Sequence, residues 1–276
     1  MKRSDLVEAT VHVLCQSETS LPAWVISTIE DALKTESNPV ARSHLKFILD
    51  NISTAKERCL PICQDTGLII FHLEMGRDLQ PGFDIREAIA EGVRTATREV
   101  PLRPNAVDPL TRKNTGDNTG PGMPDIISDV VDGGCLKITA FPKGAGSENM
   151  SLVGMLNPAD DPFDFILRAV AERASNACPP LFLGIGLGGT FDLAARMAKR
   201  ALLNMPGTTD EELDLLRRIN RLGIGPMGLG GDITALGLKI EKAACHTASL
   251  PVAINFQCWA NRRASALVME DGWNTD

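Results

Sequence analysis

Apolar residues in the first sixty positions recur at helical spacing, which predicts a helical N-terminal region. The apolar residues within 6–14 fall on one face of a helix. A second helix is expected after Ser20, a plausible N-cap that is followed by a proline near the first turn. A third helix is expected from Asn38 through Ile52, because asparagine is a preferred N-cap residue.

The pattern changes after residue 67 and predicts β-structure mixed with helices. A strand is expected over 68–73 and a helix over 84–100. The segments DIISDVV and CLKITAF, at 125–131 and 135–141, have the composition of strands. The Asp-Gly-Gly sequence at 132–134 lies between them and predicts a hairpin turn.

The second half of the chain alternates amphipathic segments with short apolar runs. A polar glycine loop is expected at 143–149. The other predicted elements are helices over 162–177, 192–203 and 210–222 and apolar runs over 181–186 and 249–257. This alternation predicts an α/β fold with mixed β-sheets flanked by helices, in a single domain that covers residues 1–276.

Composition restricts the classes of function. Of 276 residues, 43% are hydrophobic and only 4% are aromatic, with no tyrosine, so stacking on single-stranded nucleic acid is not favoured. The net charge of −7 also argues against binding to a phosphate backbone. The N-terminus has no apolar run typical of a signal peptide, and no run is long enough to cross a membrane. A cytoplasmic protein is therefore expected, in which seven cysteines serve as thiols or metal ligands.

Three cysteines lie at junctions between predicted elements and loops. Cys63 lies in CLPICQDTG, Cys178 precedes a predicted strand and Cys258 follows one. Cys15, on an apolar helix face, and Cys135 are better explained by packing, as is any single buried cysteine. Zinc is not favoured, because no CxxC pair provides compact tetrahedral spacing.

Several polar residues are candidates for substrate chemistry. Gln64 and Asp65 follow a candidate ligand, although spacing alone slightly favours a turn before the strand as the explanation of Asp65. Arg103 opens a loop rich in proline and glycine over 101–124, and its planar head suits a carboxylate. Gly144 belongs to the 143–149 loop, whose backbone amides suit an anion.

Two further signals leave alternatives open. His246 is expected in a loop, where it is a proton carrier or a satisfied structural residue. Gly184, Gly186 and Gly189 match the dinucleotide-binding fingerprint in spacing. No second strand that ends in an acidic residue follows them, so packing is the favoured explanation of these glycines.

Five ordered segments together resemble the class I, iron–sulfur-dependent fumarate hydratases and their L-tartrate dehydratase relatives. They are ICQDTG, LRPNAVDPLTRKNTGDN, PKGAGSENM, NACPPLFLGIGLGGTFDLAARMAKRALL and RLGIGPMGLGGDITALGLKIEKAACHTASLPVAINFQCWANRRA. The resemblance implies a [4Fe–4S] cluster held by Cys63, Cys178 and Cys258, with one iron open as a Lewis acid.

The resemblance also assigns roles to the polar candidates. It implies that Gln64, Arg103 and Gly144 contact the substrate, with Arg103 on a carboxylate. It implies that Asp65 and His246 transfer protons or orient the leaving water. One departure is the glycine loop, which has alanine after Gly144 where relatives often have glycine.

Family members carry further substrate contacts downstream of the third cysteine motif, whereas this chain ends at Asp276. We therefore expect an α subunit that works with a β subunit in the reversible hydration of fumarate to malate. L-tartrate and mesaconate are the alternative substrates of this reaction type. A non-catalytic nucleotide-binding α/β protein and a cluster-bearing sensor are the competing classes.

Overall fold

The computed structural model describes residues 1–275 and divides the chain into two compact units. The first unit comprises Met1–Pro22, Asn51–Gly144 and Arg262–Asp276. The second unit comprises Ala23–Asp50 and Ala145–Asn261. The chain therefore passes between the units four times, and two of these passages fall inside the PKGAGSENM and CWANRR segments.

Helices and strands alternate along most of the chain. The helices are α1 (Arg3–Thr19), α2 (Ala23–Thr35), α3 (Pro39–Arg58), α4 (Ile85–Glu99), α5 (Ala145–Glu148), α6 (Pro162–Arg173), α7 (Phe191–Leu203) and α8 (Asp210–Asn220), with short 3-10 helices at Ala174–Ala177 and Pro226–Gly228. The strands are β1 (Ile70–Gly76), β2 (Asp125–Val131), β3 (Leu136–Ala140), β4 (Leu152–Leu156), β5 (Leu181–Gly188), β6 (Ala235–Ala243), β7 (Leu250–Gln257), β8 (Ala264–Met269) and β9 (Gly272–Thr275). The expected α/β fold with a helical N-terminal region is confirmed.

The first unit is built on a five-stranded sheet with the order β2-β1-β3-β8-β9. Strands β1 and β2 are parallel, and the other neighbours are antiparallel. Helices α1 and α4 pack on this sheet with a core that includes Phe71 and Val93. Gly92 permits their close approach, because a β-carbon there would lie 2.6 Å from the β-carbon of Thr10. The carboxylate of Asp84 caps α4 by accepting backbone hydrogen bonds.

The predicted hairpin between β2 and β3 is wrong. Strand β1 lies between them, parallel to β2 and antiparallel to β3. The end of β1 occupies the position expected for the turn, where the N–H of Gly76 donates to Cys135 and the N–H of Asp78 donates to Gly133. Burial explains the order: β1 is largely buried, whereas β2 is an edge strand with Val130 exposed.

The second unit is built on a four-stranded sheet with the order β4-β7-β5-β6. Strand β5 pairs in parallel with β6 and antiparallel with β7, and it is buried along most of its length. Helix α7 packs closely on β5, because β-carbons at Gly184 and Gly186 would overlap with the carbonyl groups of Ala198 and Ala194. These two glycines are therefore packing positions, in agreement with the favoured explanation from the sequence.

Several elements differ from those expected. The sequence did not predict β4, β6, β8 or β9, and the expected glycine loop at 143–149 contains the short helix α5. The expected helix over 162–177 is α6 followed by a 3-10 turn. Among residues 1–275, no helix combines the length and apolar character needed to cross a bilayer.

Candidate active site

In the first unit, two predicted site segments are joined by backbone hydrogen bonds. The N–H of Leu68 donates to the carbonyl of Lys143 at 3.0 Å, and the N–H of Lys143 donates to the carbonyl of Leu68 at 2.9 Å. Gly67 has a φ of +77°, and a β-carbon there would lie 2.7 Å from the Lys143 backbone. Only glycine fits this close approach without strain. The close approach of Gly67 to Lys143 also brings Gly144 beside Asp65, so that a β-carbon on Gly144 would lie 3.3 Å from Asp65 Oδ2.

The turn at 63–67 fixes both the thiol of Cys63 and the carboxylate of Asp65. The N–H of Asp65 donates to Cys63 Sγ at 3.4 Å. Asp65 Oδ1 accepts from the N–H of Gly67 at 2.9 Å and from Asn105 Nδ2 at 3.4 Å. Gln64, between them, is exposed. The structural explanation of Asp65 as a turn residue is thus correct, and its second oxygen still faces Gly144.

Arg103 is held by its backbone rather than by its side chain. Its N–H donates to Thr66 Oγ1 at 3.1 Å, and its carbonyl accepts from Asn118 Nδ2 at 3.1 Å. The side chain is exposed, and its guanidinium has no hydrogen-bond or ion-pair partner within the described residues 1–275. A fixed backbone with an available guanidinium suits the binding of a carboxylate.

In the second unit, Cys178 and Cys258 lie at the same end of the sheet. Cys258 follows the last residue of β7, and Cys178 lies shortly before the first residue of β5. Strands β5 and β7 are antiparallel, with Phe182 opposite Gln257. The end of β7 therefore lies beside the beginning of β5, and this register places Cys178 and Cys258 at the same end of the sheet.

The surroundings of these two cysteines are polar. Cys178 is exposed and has a left-handed backbone with φ of 54°, an uncommon conformation for a residue other than glycine. Gln257 Nε2 lies 3.7 Å from Cys258 Sγ. Asn261 is fully buried, and neither its Nδ2 nor its Oδ1 has a hydrogen-bond partner in the part of the chain that the structure describes.

His246 lies at the opposite end of the same sheet. It belongs to the connection from β6 to β7, beside the end of β5 where Gly188 pairs with Ala243. The length of β7 separates it from Cys258 by roughly 25 Å. His246 Nδ1 accepts from the N–H of Ala248 at 3.1 Å, so that the neutral ring carries its proton on Nε2. It lines a groove of about 430 Å³ with the exposed side chains of Met155 and Phe191.

The sequence profile of the fumarate hydratase (Fumerase) family matches residues 7–267, which cover nearly the whole chain and both units. The chain belongs to the fumarate hydratase family. It is similar to a Methanocaldococcus jannaschii protein that carries the name of an L(+)-tartrate dehydratase alpha subunit, with 47% identity over 279 residues and 96% of each chain covered. It is also similar to the L(+)-tartrate dehydratase subunit alpha of Escherichia coli strain K12, with 31% identity over 277 residues, 96% of this chain and 91% of the relative.

Membership of the fumarate hydratase family confirms the resemblance noted in the sequence. Enzymes of this family are hydro-lyases, so the chain is that of a hydro-lyase. The predicted site residues fall into two groups. The first unit holds Cys63, Gln64, Asp65, Arg103 and Gly144 together around the 63–67 turn; the second holds the remaining three.

The structure adds one residue that the sequence did not single out in this hydro-lyase chain. Arg262 is almost fully buried, and its Nη1 donates to the backbone carbonyl of Asp65 at 3.0 Å and to Glu18 Oε2 at 2.6 Å. Burial raises the pKa of Glu18 to about 7, although the charge of Arg262 acts in the opposite direction. The signal was present in the CWANRR segment, where two successive arginines follow a cysteine.

None of the seven cysteines, all of which lie within residues 1–275, forms a disulfide. In the same range, no group of three or more His, Cys, Asp or Glu side chains is gathered as around a bound metal ion. Cys15 is half-buried, and burial together with Glu99 raises the pKa of its thiol to about 11. Such a thiol stays protonated at neutral pH, which supports its assignment to packing.

Proposed function

We propose that the chain is the α subunit of a [4Fe–4S]-dependent hydro-lyase that catalyses the reversible hydration of fumarate to malate. The observation that carries the proposal is the arrangement around the 63–67 turn. There, the carboxylate of Asp65 faces Gly144, and the same short segment of chain fixes the backbone of Arg103 through Thr66. A carboxylate-binding cation and a candidate base are thus held by one turn within a family of hydro-lyases.

The residues present fit the proposed cluster. Cys63, Cys178 and Cys258 would hold it as thiolates, and hydrogen bonds to cluster sulfurs are a common feature of such sites. The N–H of Asp65 toward Cys63 and the side chain of Gln257 toward Cys258 are donors of this kind. When bound, the cluster supplies an open iron that acts as a Lewis acid toward the oxygen atoms of the substrate.

The residues of the chain itself supply binding and proton transfer. Arg103 would hold one substrate carboxylate through two parallel hydrogen bonds. In the dehydration of malate, a base removes the proton from the carbon beside the hydroxyl-bearing carbon, and the hydroxyl leaves as water. Asp65 would serve proton transfer or orient that water, with Gln64 and Gly144 as further contacts. The hydrogen bonds from Gly67 and Asn105 fix Oδ1, and Oδ2 lies toward Gly144.

His246 requires a more specific proposal. Because it lies at the far end of the sheet from Cys178 and Cys258, it can serve the same site only from a second copy of the chain. We therefore include at least two α chains in the proposed assembly. In its neutral form, His246 would present Nε2–H as a donor, since Nδ1 accepts a backbone hydrogen bond.

A complementation experiment tests this role of His246. Chains that carry Cys258→Ser and chains that carry His246→Asn, each inactive alone, would be co-expressed. Random pairing of two chains makes about half of the assemblies mixed, and one of the two sites in each mixed assembly holds both intact residues, so the co-expressed pool should recover about a quarter of the activity. A matched mixture of Cys258→Ser with Cys178→Ser should recover none. Failure of the first mixture to recover activity would contradict a site shared between copies.

The relatives favour a second substrate within the same reaction type. Both carry names of L(+)-tartrate dehydratase alpha subunits, and their similarity extends over almost the full chain. Dehydration of L-tartrate uses the same groups, with a second hydroxyl on the carbon that loses its proton. Mesaconate is the remaining alternative. The subunit names also support a β partner that contributes the remaining substrate contacts. The cytoplasm is the location expected for this enzyme.

The decisive experiment is a substrate comparison on the reconstituted protein. The chain would be co-expressed with a candidate β subunit and loaded with iron and sulfide without oxygen. Activity would then be measured with fumarate, malate, both tartrates and mesaconate, with and without the partner. Interconversion of fumarate and malate that requires the partner supports the primary proposal, and turnover of L-tartrate alone favours the second candidate. Cluster formation without turnover of any substrate would contradict both.

A further inference from the structure

Two buried charged residues form an ion pair behind the 63–67 turn in the first unit. Glu18 lies near the end of α1 and is 0% exposed, and Arg262 is 1% exposed. Their side chains meet at 2.6 Å, between Arg262 Nη1 and Glu18 Oε2. The two residues are 244 positions apart in the chain. A buried ion pair is costly to form and contributes little net stability, so its presence calls for an explanation other than stability.

The pair contacts the turn at two points. The same Arg262 Nη1 donates to the carbonyl of Asp65 at 3.0 Å, and the N–H of Ile62 donates to the carbonyl of Glu18 at 2.8 Å. The backbone of Glu18 thus contacts the turn directly. Its side chain acts on the turn indirectly, because it binds Arg262, which in turn binds the carbonyl of Asp65. Both contacts bracket Cys63, which lies between Ile62 and Asp65.

The geometry also places the guanidinium beside the glycine loop. A β-carbon on Gly144 would lie 3.7 Å from Arg262 Nη2 and 3.3 Å from Asp65 Oδ2. Gly144 is therefore close to both the carboxylate of Asp65 and the guanidinium of Arg262. The cation is close enough to fix the backbone of Asp65, while its own charge is balanced by Glu18.

We propose that Glu18 is a positioning residue that, through Arg262, holds the Asp65 backbone and the Cys63 turn in the geometry needed for catalysis. The proposal rests on the proposed function only for the catalytic role of Asp65. Without Glu18, the guanidinium would lose the buried counter-charge that fixes its orientation, and its hydrogen bond to the carbonyl of Asp65 would weaken. The turn that carries Cys63 and Asp65 would then keep only its backbone contact with Glu18, so both side chains would be placed less firmly.

The test compares Glu18→Gln with Glu212→Gln. Glu212 is also almost fully buried, but it lies in the second unit, where it caps α8, a role that glutamine also fills. In the reconstituted enzyme, Glu18→Gln should lower kcat by tenfold or more, with KM changed less than twofold and iron content unchanged. Glu212→Gln should leave kcat within twofold of the unmodified enzyme.

A second measurement needs no turnover and follows thiol labelling in the full chain before cluster loading. All variants would carry Cys59→Ser, because trypsin leaves residues 59–77 in one peptide and label on Cys59 would be counted together with label on Cys63. In the Glu18→Gln variant, Cys63 should react with the label at least fivefold faster. The labelling rate of Cys135, which is half-buried in the same unit, should not change. If the unmodified protein converts no dicarboxylate, the proposed function fails, but the labelling still tests the positioning role.

The outcomes that overturn the proposal are equally specific. Unchanged kcat together with unchanged labelling of Cys63 would remove any role of Glu18 in the turn. Equal acceleration at Cys63 and Cys135 would show a general loss of stability, and it would also overturn the proposal. If Glu18→Gln does not fold, Arg262→Lys decides by the same criteria, because lysine keeps the charge but lacks the planar fork that reaches both acceptors.

Discussion

The two units hold their candidate residues by different physical means. In the first unit, Asp65 and Arg103 lie on loops that are fixed by hydrogen bonds and by a buried ion pair. In the second unit, Cys178 and Cys258 lie at the ends of adjacent strands, and the sheet register brings them to the same end. The first arrangement depends on a few polar contacts, and the second depends on the packing of β5 against α7.

This difference predicts different sensitivities to mutation. A loop held by polar contacts should lose function when a single charge is removed, even if the fold survives. Strand ends held by packing should tolerate changes of charge nearby but not an added methyl group at the tightly packed glycines. Function and stability should therefore respond separately in the two units.

The largest loss of activity is expected for the three proposed cluster ligands, which come from both units and should be equally sensitive to replacement. Replacement of any one proposed ligand, Cys63→Ser, Cys178→Ser or Cys258→Ser, should lower activity by roughly 10³-fold or more, because the Lewis acid is worth several kcal/mol. Cys15→Ser, in α1, serves as the control and should keep both activity and iron content. Iron analysis and turnover after anaerobic reconstitution check this, and full activity in Cys178→Ser would remove it from the ligand set.

The next effect should be confined to the first unit. Arg103→Gln should raise KM for the dicarboxylate roughly 10- to 100-fold, because hydrogen bonds to a charged group are lost. Thermal stability should not change, since the Arg103 side chain is exposed. Lys113→Gln removes the same charge from the same exposed loop and is the matched control. A similar rise in KM for both variants would indicate a general effect of loop charge.

A stability effect should appear in the second unit alone. Gly186→Ala should cost about 3 kcal/mol or more, because the added β-carbon overlaps with the carbonyl of Ala194 in α7. Gly237→Ala, in the neighbouring strand, meets only the Phe182 ring at 3.5 Å and should change stability by less than about 1 kcal/mol. Urea unfolding of both variants measures the difference. Equal stability of the two would contradict packing as the constraint on β5.

The smallest effect concerns pH and the buried pair of the first unit. The pKa of Glu18 is raised by burial, and further by Asp65, to about 7 from an ordinary 4.5, while Arg262 opposes the rise. The folded chain therefore binds more protons between these values. The stability contributed by the protonated carboxyl is complete below pH 4.5 and is lost as pH rises through 7.

Relative to Glu18→Gln, the free energy of unfolding should thus fall by up to about 3 kcal/mol between pH 4.5 and pH 8. Urea unfolding at a series of pH values gives this difference directly. Parallel pH profiles for the two proteins would contradict the raised pKa. Glu212→Gln provides the control for loss of a buried carboxylate in the other unit.

Local signals in the sequence predicted the helices well, because amphipathic spacing and caps such as Asp84 act over a few residues. Strand pairing was harder. The hairpin predicted at 132–134 was wrong because the end of β1, which comes much earlier in the chain, takes up the hydrogen bonds of that turn. Strands β4, β6, β8 and β9 were missed because pairing partners distant in the chain determine them.

The same distinction applies to the site. The turn at 63–67 was suggested by its own residues, and the structure supports that interpretation. The partnership of Glu18 with Arg262 has no local signal, since the two residues come from opposite ends of the chain. The position of His246 relative to Cys258 follows from strand direction, which spacing in sequence does not reveal.

The passages of the chain between the units have a consequence for how this protein can evolve. Two of them, at residues 144–145 and 261–262, fall within the glycine-loop and third-cysteine segments. A recombination event that exchanged one unit for that of a relative would have to break both segments. The two units are therefore expected to be inherited together, and chimaeras designed for new substrate preference should place their junctions outside these segments.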